Sequence, residues 1–365
     1  MTSALFSSLK LRDLILSNRI VIAPMCQYSA SDGNLTDWHL MHLGQLSHSG
    51  AGLLIVEATA VAPEGRITPA CTGLWNDANE AAFARVIAAV RRYSAMPLAI
   101  QLGHAGRKAA CAVPWQGGRQ LTDEQGGWTT VAPSAVPFQD SDRVPDALDA
   151  AGIARIREAF VAATRRADRL GFDAVELHAA HGYLLHQFLS PLSNRREDDY
   201  GGSLENRLRL PLQVFEAMRA VWPAAKPMGV RVSATDWVDG GWDPVRTVEL
   251  AKALQARGCD YVHVSTGGLD PRQRIPAAPE FQVPFAQAIR QATGMTTIAV
   301  GLVTQAAQAE RIIAEGRADL VALARGILYD PRWPWHAAAE LGARVEAPPQ
   351  YWRSPPPGVR DLFQT

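Results

Sequence analysis

The amino-acid sequence predicts an α/β fold in the form of a (β/α)8 TIM barrel, and three observations support this. Eight short apolar segments recur along the 365 residues, and longer segments with helical periodicity separate most of them. The apolar segments are near-continuous, which is typical of parallel strands covered by helices. Several helical segments end in a glycine just before the next strand, as at Gly171 and Gly258. A doubly wound sheet in two domains is the alternative, but no linker rich in proline, serine or charge divides the chain.

The predicted strands cover residues 20–25, 53–59, 98–102, 174–178, 229–233, 261–265, 297–300 and 320–324. The main helical segments cover residues 80–93, 149–170, 204–222, 244–257, 284–292 and 305–315. Eight βα units in one chain of this length favour a single domain over residues 1–365, because barrels of this kind often exceed 200 residues.

Two segments depart from the repeating βα pattern. Residues 105–147 follow the third strand and contain two glycine pairs and four prolines. This segment is too long for a plain connection and is predicted to form a folded excursion or lid. The tail, residues 347–365, is rich in proline around Tyr351-Trp352-Arg353 and cannot be helical throughout. We expect it to dock on a surface, with a loosely ordered terminus as the alternative.

Composition and charge narrow the class of protein. The chain is 47% hydrophobic, and 36 basic residues balance 36 acidic ones, which argues against a nucleic-acid or acidic-membrane partner. The cysteines Cys26, Cys71, Cys111 and Cys259 are scattered, which argues against a disulfide framework or a structural zinc site. The N-terminus has no signal-peptide core, and no apolar run has membrane-spanning length. These features predict a cytoplasmic protein.

Residues 175–185 are the most informative stretch of the chain. An apolar strand ends at His178, and His181, Gly182 and Tyr183 follow two alanines later. In a continuous strand the two histidines would face opposite sides, so they converge only if the backbone turns after His178. Gly182 tolerates the dihedral angles of such a turn. A strand terminus with ordinary hydrogen bonds is the alternative interpretation.

The carboxyl ends of barrel strands carry the chemistry of this fold. Gln101, Arg231, Gly301 and Arg325 lie within or just after four of the predicted strands. The strand ends show no pair of carboxylates, so glycoside hydrolysis is unsupported, and no histidine cluster with acids, so a catalytic metal is not expected. The groups present suit a planar, anionic ligand, and the last two strands are where barrels often bind phosphate.

Five separated motifs resemble the Old Yellow Enzyme family. They are residues 23–28 (APMCQY), 101–107 (QLGHAGR), 178–184 (HAAHGYL), 190–195 (SPLSNR) and 200–207 (YGGSLENR). The likeness runs from Asn18 to Arg353 and is strongest to the bacterial ene-reductases and xenobiotic reductases that have a cysteine beside the flavin. It implies a TIM barrel that binds FMN non-covalently and is reduced by NADPH or NADH.

The resemblance also implies which residues hold FMN. These are Ala23, Pro24, Met25, Cys26, Ala60, Gln101, Arg231, Gly301, Ala324 and Arg325. Gln101 would bind the pyrimidine edge, Arg231 would place positive charge near N1 and O2, and Arg325 would bind the phosphate. Cys26 would tune the redox potential, and with no resolving partner evident in the sequence a dithiol role is not expected. A structural ion pair for Arg231 and a buried apolar role for Cys26 are the alternatives.

By the same resemblance, His178 and His181 would hold the carbonyl oxygen of an α,β-unsaturated substrate. Hydride from flavin N5 would add to the β-carbon, and Tyr183 would protonate the α-carbon. Tyr28 would contact the substrate, unless it is an aromatic core residue. Arg353 would reach into a neighbouring subunit's site, which implies a homodimer or homotetramer.

The function predicted from the sequence is that of an FMN-dependent, NAD(P)H-oxidising ene-reductase acting on small activated alkenes. A dienoyl-CoA-reductase-like flavoenzyme is one alternative, but this chain lacks the clustered cysteines of an iron–sulfur site. A flavin barrel acting on tRNA disagrees with the balanced charge. A catalytically silent flavin-binding or sensing protein would be expected to have lost Tyr183 or the histidines. The physiological substrate and the choice between NADPH and NADH stay open.

Overall fold

Parallel strands close into a barrel that matches the predicted fold class. The computed structural model describes residues 3–364. Their strands are β1 (Leu9–Leu11), β2 (Leu14–Leu16), β3 (Ile20–Ile22), β4 (Leu53–Ala60), β5 (Leu98–Gly103), β6 (Val131–Ala132), β7 (Asp146–Ala147), β8 (Ala174–Ala179), β9 (Met228–Ser233), β10 (Tyr261–Ser265), β11 (Thr296–Ala299) and β12 (Leu320–Leu323). Around the barrel, β3, β4, β5, β8, β9, β10, β11 and β12 follow one another, and β12 pairs again with β3. The TIM barrel is therefore confirmed.

Helices surround the barrel on its outer face. They are α1 (Asp37–Ser47), α2 (Asp77–Arg91), α3 (Ala150–Arg169), α4 (Leu184–Leu189), α5 (Leu204–Val221), α6 (Pro244–Gln255), α7 (Val283–Thr293), α8 (Ala306–Ala314), α9 (Arg325–Tyr329) and α10 (Trp333–Leu341). Among residues 3–364, no helix is both long enough and apolar enough to cross a membrane.

The strands are apolar on both faces because both faces are buried. In β3, Ile20 and Ile22 pack outward with the helices, whereas Val21 points inward. Leu53 and Ile55 of β4 join Val21 in the interior of the barrel. Burial on both sides explains why the strands read as continuous apolar runs in the sequence.

Side-chain caps start several of the helices on the barrel exterior. Asp149 accepts a hydrogen bond at 2.7 Å from the N–H of Gly152 at the start of α3. Ser203 and Asp243 make the equivalent contact at the starts of α5 and α6. Each cap satisfies an N–H that has no partner within the helix, typically worth about 0.5–2 kcal/mol.

The segment between β5 and α3 is a folded excursion over the carboxyl ends of the strands. It contains three 3-10 turns, Gly106–Lys108, Pro114–Gln116 and Asp123–Gln125, and the short parallel pair of β6 and β7. The indole N–H of Trp128 anchors it by donating to the carbonyl of Glu64 at 2.9 Å. The excursion is therefore folded, as the sequence predicts, and it lies beside the open end of the barrel.

The opposite end of the barrel is closed by apolar packing. The hairpin of β1 and β2 buries Leu11 and Leu16 against the inward-facing residues of the barrel strands. The C-terminal tail also packs at this end, where Phe363 and Tyr351 contact Trp335 with ring centroids 4.9 Å and 5.5 Å away. The expected docking of the tail on a surface is thus seen on the chain's own barrel.

Candidate active site

A turn after β8 brings His178, His181 and Tyr183 to one place. His181 has φ of +59° and Gly182 has φ of +74°, so the chain reverses direction before α4 begins. A Cβ atom at Gly182 would lie 2.1 Å from the carbonyl oxygen of Gly268, so only glycine fits. The ring centroid of His178 lies 5.2 Å from that of His181 and 4.9 Å from that of Tyr183. The structure therefore contains the turn that the sequence predicts.

His178 is oriented to donate a hydrogen bond from Nε2. Its Nδ1 accepts from the N–H of Ala180 at 3.2 Å. Burial, with a smaller contribution from Arg231, lowers the pKa of His178 well below its usual value. The ring is therefore neutral at physiological pH, and its one proton lies on Nε2.

His181 and Tyr183 are also held in their uncharged forms. Nε2 of His181 lies 2.8 Å from Oγ of Ser265, and its backbone N–H donates to Oγ of Ser233 at 2.9 Å. Burial lowers the pKa of His181 well below its usual value and raises the pKa of Tyr183 well above its own. The phenol of Tyr183 therefore keeps its proton throughout the physiological range.

A polar layer lies inside the barrel directly below these rings. Glu176 Oε1 accepts from Gln101 Nε2 at 2.7 Å, and its Oε2 lies 3.0 Å from His263 Nδ1. Arg231 pairs in register with His178 on one side and His263 on the other. Burial lowers the pKa of Arg231, and the nearby Glu176 charge opposes that shift. Nε of Arg231 has no hydrogen-bond partner within the described chain, so the buried cation is incompletely satisfied.

The loop after β3 is supported from below by a buried carboxylate. Oε2 of Glu57 accepts from the backbone N–H of Gln27 at 2.9 Å. Next to it, Tyr28 lines a cavity of about 180 Å³ together with Lys108 and Cys111. Burial raises the pKa of the Tyr28 phenol, so it is a hydrogen-bond donor as well as an acceptor.

Cys26 lies near a second thiol, that of Cys71. The thiols of Cys26 and Cys71 interact, and this interaction is the largest cause that raises the pKa of Cys26 and lowers that of Cys71. The N–H of Thr68 also donates to the Cys71 sulfur at 3.3 Å. Cys71 further lines a small cavity with His178 and Tyr183. The two cysteines are far apart in sequence, and only the fold of the loop after β4 brings them together.

Comparison with known proteins identifies the family. The model of the NADH:flavin oxidoreductase / NADH oxidase family matches residues 4–343. The chain is 44% identical to an NADPH dehydrogenase of Geobacillus thermodenitrificans, over 97% of this chain and 99% of that protein. It is 41% identical to an NADH:flavin oxidoreductase of Gibberella zeae, over 94% and 87%. The chain belongs to the NADH:flavin oxidoreductase family.

Solved structures agree with this assignment. Morphinone reductase superposes with a TM-score of 0.78 at 31% identity, over 100% of this chain and 94% of that one. The likeness to the Old Yellow Enzyme family is therefore confirmed, and so are FMN as cofactor, NAD(P)H as reductant and the class of flavin oxidoreductase.

The residues at the open end of the barrel fit the FMN of this family. Gly301, Ala324 and Arg325 line a cavity of about 200 Å³, and Arg231 reaches the same cavity from inside the barrel. A Cβ atom at Gly301 would lie 2.8 Å from Nε2 of Gln282, so the absence of a side chain keeps the cavity open. The incompletely satisfied guanidinium of Arg231 suits an anionic ligand.

The other predicted FMN residues lie along one arc of the barrel. Ala23, Pro24, Met25 and Cys26 follow β3, Ala60 ends β4, and Gln101 is in β5. Because β11, β12, β3, β4 and β5 are consecutive around the barrel, these residues continue the arc that begins at Gly301. The structure thus places all ten predicted FMN residues at the same end as His178.

Arg353 lies elsewhere. It is exposed in the tail, just after the 3-10 turn Pro349–Tyr351. The tail borders a cavity of about 250 Å³ with His48 and Tyr93, both of which precede strands at the closed end of the barrel. In the described chain, Arg353 lines none of the cavities at the open end.

Several residues at the site were not identified from the sequence. Glu176 and His263 hold the polar layer, Lys108 contacts the turn that carries His181, and Cys71 contacts Cys26. The alternation of side chains along β8 was a usable signal for Glu176, because it places Glu176 on the same inward face as His178. The contacts of Lys108 and Cys71 depend on loop conformations that leave no pattern in the sequence.

Proposed function

We propose that this protein reduces the C=C bond of α,β-unsaturated carbonyl compounds or related activated alkenes, using FMN and NADPH or NADH. When bound, FMN supplies the two-electron redox chemistry between the nicotinamide and the alkene. The observation that carries this proposal is the convergence of two neutral imidazoles and a protonated phenol beside the FMN cavity. The similarity to an NADPH dehydrogenase supports the reductant.

The two histidines would hold the substrate's carbonyl oxygen. His178 has a proton on Nε2 that no group within the described chain accepts, and His181 lies beside it. Negative charge develops on this oxygen as the β-carbon is reduced, and preplaced donors stabilise it in the transition state. Because both rings are neutral, they stabilise the charge by hydrogen bonding without transferring a proton.

Tyr183 would supply the proton for the α-carbon. Its phenol stays protonated because burial raises its pKa well above the usual value. The ring lies 4.9 Å from that of His178, so an alkene held by the histidines would lie within its reach. Tyr28 would contact the same substrate from the adjoining cavity, and Cys26 would adjust the potential of the flavin beside it.

Two measurements test this function directly. The purified protein should be yellow, heating should release free FMN, and NADPH should be oxidised when cyclohexenone is added. A colourless protein that cannot be reconstituted with FMN would remove the hypothesis. A yellow protein that NADPH reduces, but that no enone, nitroalkene or maleimide reoxidises, would support the flavin-sensing alternative.

We further propose that Arg353 completes the site of a neighbouring subunit in a homodimer or homotetramer. The tail carrying Arg353 packs at the closed end of its own barrel, whereas the FMN cavity is at the open end. An exposed arginine on an anchored tail suits contact with another molecule.

Mixed subunits test the position of Arg353. Arg353→Ala and Tyr183→Phe should each lower the turnover of cyclohexenone. If Arg353 acts across the interface, unfolding and refolding the two variants together should restore activity, because a mixed dimer contains one intact site. A mixture that is no more active than the sum of its components would contradict this arrangement.

We also propose a domain organisation and a location for the chain as a whole. Residues 1–365 would act as one FMN-binding domain, and the protein would work in the cytoplasm. Cys26, Cys71, Cys111 and Cys259 are free thiols, which supports a reducing compartment.

A further inference from the structure

Lys108 lines the cavity that contains Tyr28 but has no part in the chemistry described above. It ends the 3-10 turn Gly106–Lys108 that follows β5. Its Nζ donates to the carbonyl oxygen of His181 at 2.8 Å and to that of Gly268 at 2.7 Å. The same nitrogen lies 5.3 Å from the ring centroid of Tyr183. One ammonium thus bridges the turn after β8 and the loop after β10.

The two segments that Lys108 bridges have left-handed backbone and press directly on one another. His181 has φ of +59° and Gly268 has φ of +93°. A Cβ atom at Gly268 would lie 2.6 Å from the backbone of His181. Two carbonyl dipoles that point at the same position repel one another unless a cation lies between them, and Lys108 supplies that cation.

Serines at the ends of β9 and β10 also hold His181 beside these two segments. Ser265, at the end of β10, lies 2.8 Å from Nε2 of that ring. Ser233 accepts from the N–H of His181 at 2.9 Å and donates to the carbonyl of Gly267 at 2.8 Å. A change in the spacing of the two segments would therefore turn the imidazole of His181 as well as shift its backbone.

The charge of Lys108 is balanced by dipoles rather than by an acid. Within residues 3–364, no carboxylate is among the groups that shift its pKa, which burial lowers to about 8. Cys111 raises this pKa and Arg107 lowers it by smaller amounts. Arg119 and Asp142 line the same cavity as Lys108.

Lys108 is also the group here whose charge changes near pH 8. Burial raises the pKa of Cys111 to about 11 and lowers that of Arg107 to about 10. The pKa of Tyr183 is raised well above its usual value, and that of His181 is lowered well below its own. Neither the phenol nor the imidazole therefore titrates in this range.

We propose that Lys108 is a positioning residue for His181, and that it acts only as the ammonium. Its two charge-assisted hydrogen bonds hold the paired turns at the spacing that aims the imidazole at the substrate. Loss of the proton converts them to neutral hydrogen bonds of roughly half the strength. This inference rests on the proposed ene-reductase function.

The first experiment compares wild type with Lys108→Arg and Lys108→Met, using Lys252→Met, an exposed residue of α6, as the matched control. The rate at which cyclohexenone reoxidises the reduced flavin is measured from about pH 6.5 to about pH 9.5. We expect the wild-type and control rates to fall above a pH near 8. Lys108→Arg should remove that fall, because arginine stays charged, and Lys108→Met should be slower by roughly tenfold at low pH.

The second measurement does not depend on turnover. The free energy of unfolding of the flavin-loaded full chain is compared between wild type and Lys108→Met as pH rises. The folded state holds the pKa of Lys108 at about 8, against an ordinary 10.5, so the unfolded chain binds more protons between these values. Wild type should therefore gain stability relative to Lys108→Met across this window.

The outcomes separate the two hypotheses. A wild-type enzyme that reduces no activated alkene would overturn the proposed function. An active wild type whose fall in rate near pH 8 persists in Lys108→Arg would overturn the role of Lys108 alone. A stability difference that stays constant across the window would do the same.

Discussion

The two halves of the barrel interior are built on different principles. Near the closed end, Val21, Leu53 and Ile55 pack with the hairpin of β1 and β2 in a layer without charge. Near the open end, the same inward positions carry groups such as Glu176 and Arg231, both buried. The same strands thus form an apolar layer at the closed end, the floor, and a charged layer at the open end, the ceiling.

The residues at the boundary between the two layers are tightly packed. Tyr261 lies one inward position below His263, and its ring lies 2.2 Å from where a Cβ atom of Gly229 would be. The floor is therefore filled to the limit by side chains, as expected where packing supplies stability. The ceiling keeps a cation with an incompletely satisfied Nε, which destabilises the fold unless a ligand contacts it. Stability and function are thus assigned to opposite ends of the same strands.

Among changes at the open end, Tyr183→Phe should have the largest effect on the reaction rate. This change removes the proposed proton donor and should slow flavin reoxidation by cyclohexenone by about 10²–10⁴-fold. Reduction of the flavin by NADPH should stay nearly intact, because it needs no proton from Tyr183. Tyr200→Phe, on a ring whose hydroxyl contacts Gln213, is the matched control and should change neither step. Equal slowing of both steps in Tyr183→Phe would contradict the proton-donor role.

A glycine pair tests how closely the turn at the open end is fitted. Gly182 and Gly202 have nearly the same φ, +74° and +75°, but only Gly182 is crowded, by the carbonyl of Gly268. Gly182→Ala should displace His181 and lower turnover by roughly 10²-fold, as shifts of about 1 Å do in active sites. Gly202→Ala should cost about 1–2 kcal/mol of stability, because an L residue is strained at this φ, and should leave the rate unchanged. Similar steady-state rates for the two variants would show that the turn is tolerant.

The smallest effect on turnover, and the largest on stability, should come from the floor. Leu53 is fully buried, and Leu53→Ala should lower the free energy of unfolding by about 2–5 kcal/mol. The rate per folded, FMN-loaded molecule should not change. Val245→Ala, on an exposed helix residue, should change stability by less than about 0.5 kcal/mol. Denaturant unfolding and stopped-flow rates on the same samples measure both quantities, and a slower Leu53→Ala enzyme would show that the halves are coupled.

Much of the barrel could be predicted because each strand is buried on two faces. The sixth predicted strand, 261–265, coincides with β10, and the others differ by a few residues at most. The first is the least accurate, since 20–25 was expected and β3 ends at Ile22. Pro24 follows, and a proline has no N–H to donate to a sheet. Residues 23–25 are also apolar, so the sequence pattern did not show where the strand ends.

Contacts between distant segments could not be predicted in the same way. Glu176 meets Gln101 and His263 through the register of three strands, which no single stretch of sequence specifies. The contact between Cys26 and Cys71 depends on the fold of the loop after β4. Motifs in the sequence predicted the residues around a flavin. The side chains that support those residues could be identified only from the structure.

The hairpin of β1 and β2 has one more consequence. Because Leu11 and Leu16 close the base of the barrel, the proposed function requires nicotinamide and alkene to enter from the open end. If both bind over His178 and His181 as proposed, each would exclude the other, and reduction of the flavin and reduction of the alkene would be separate steps.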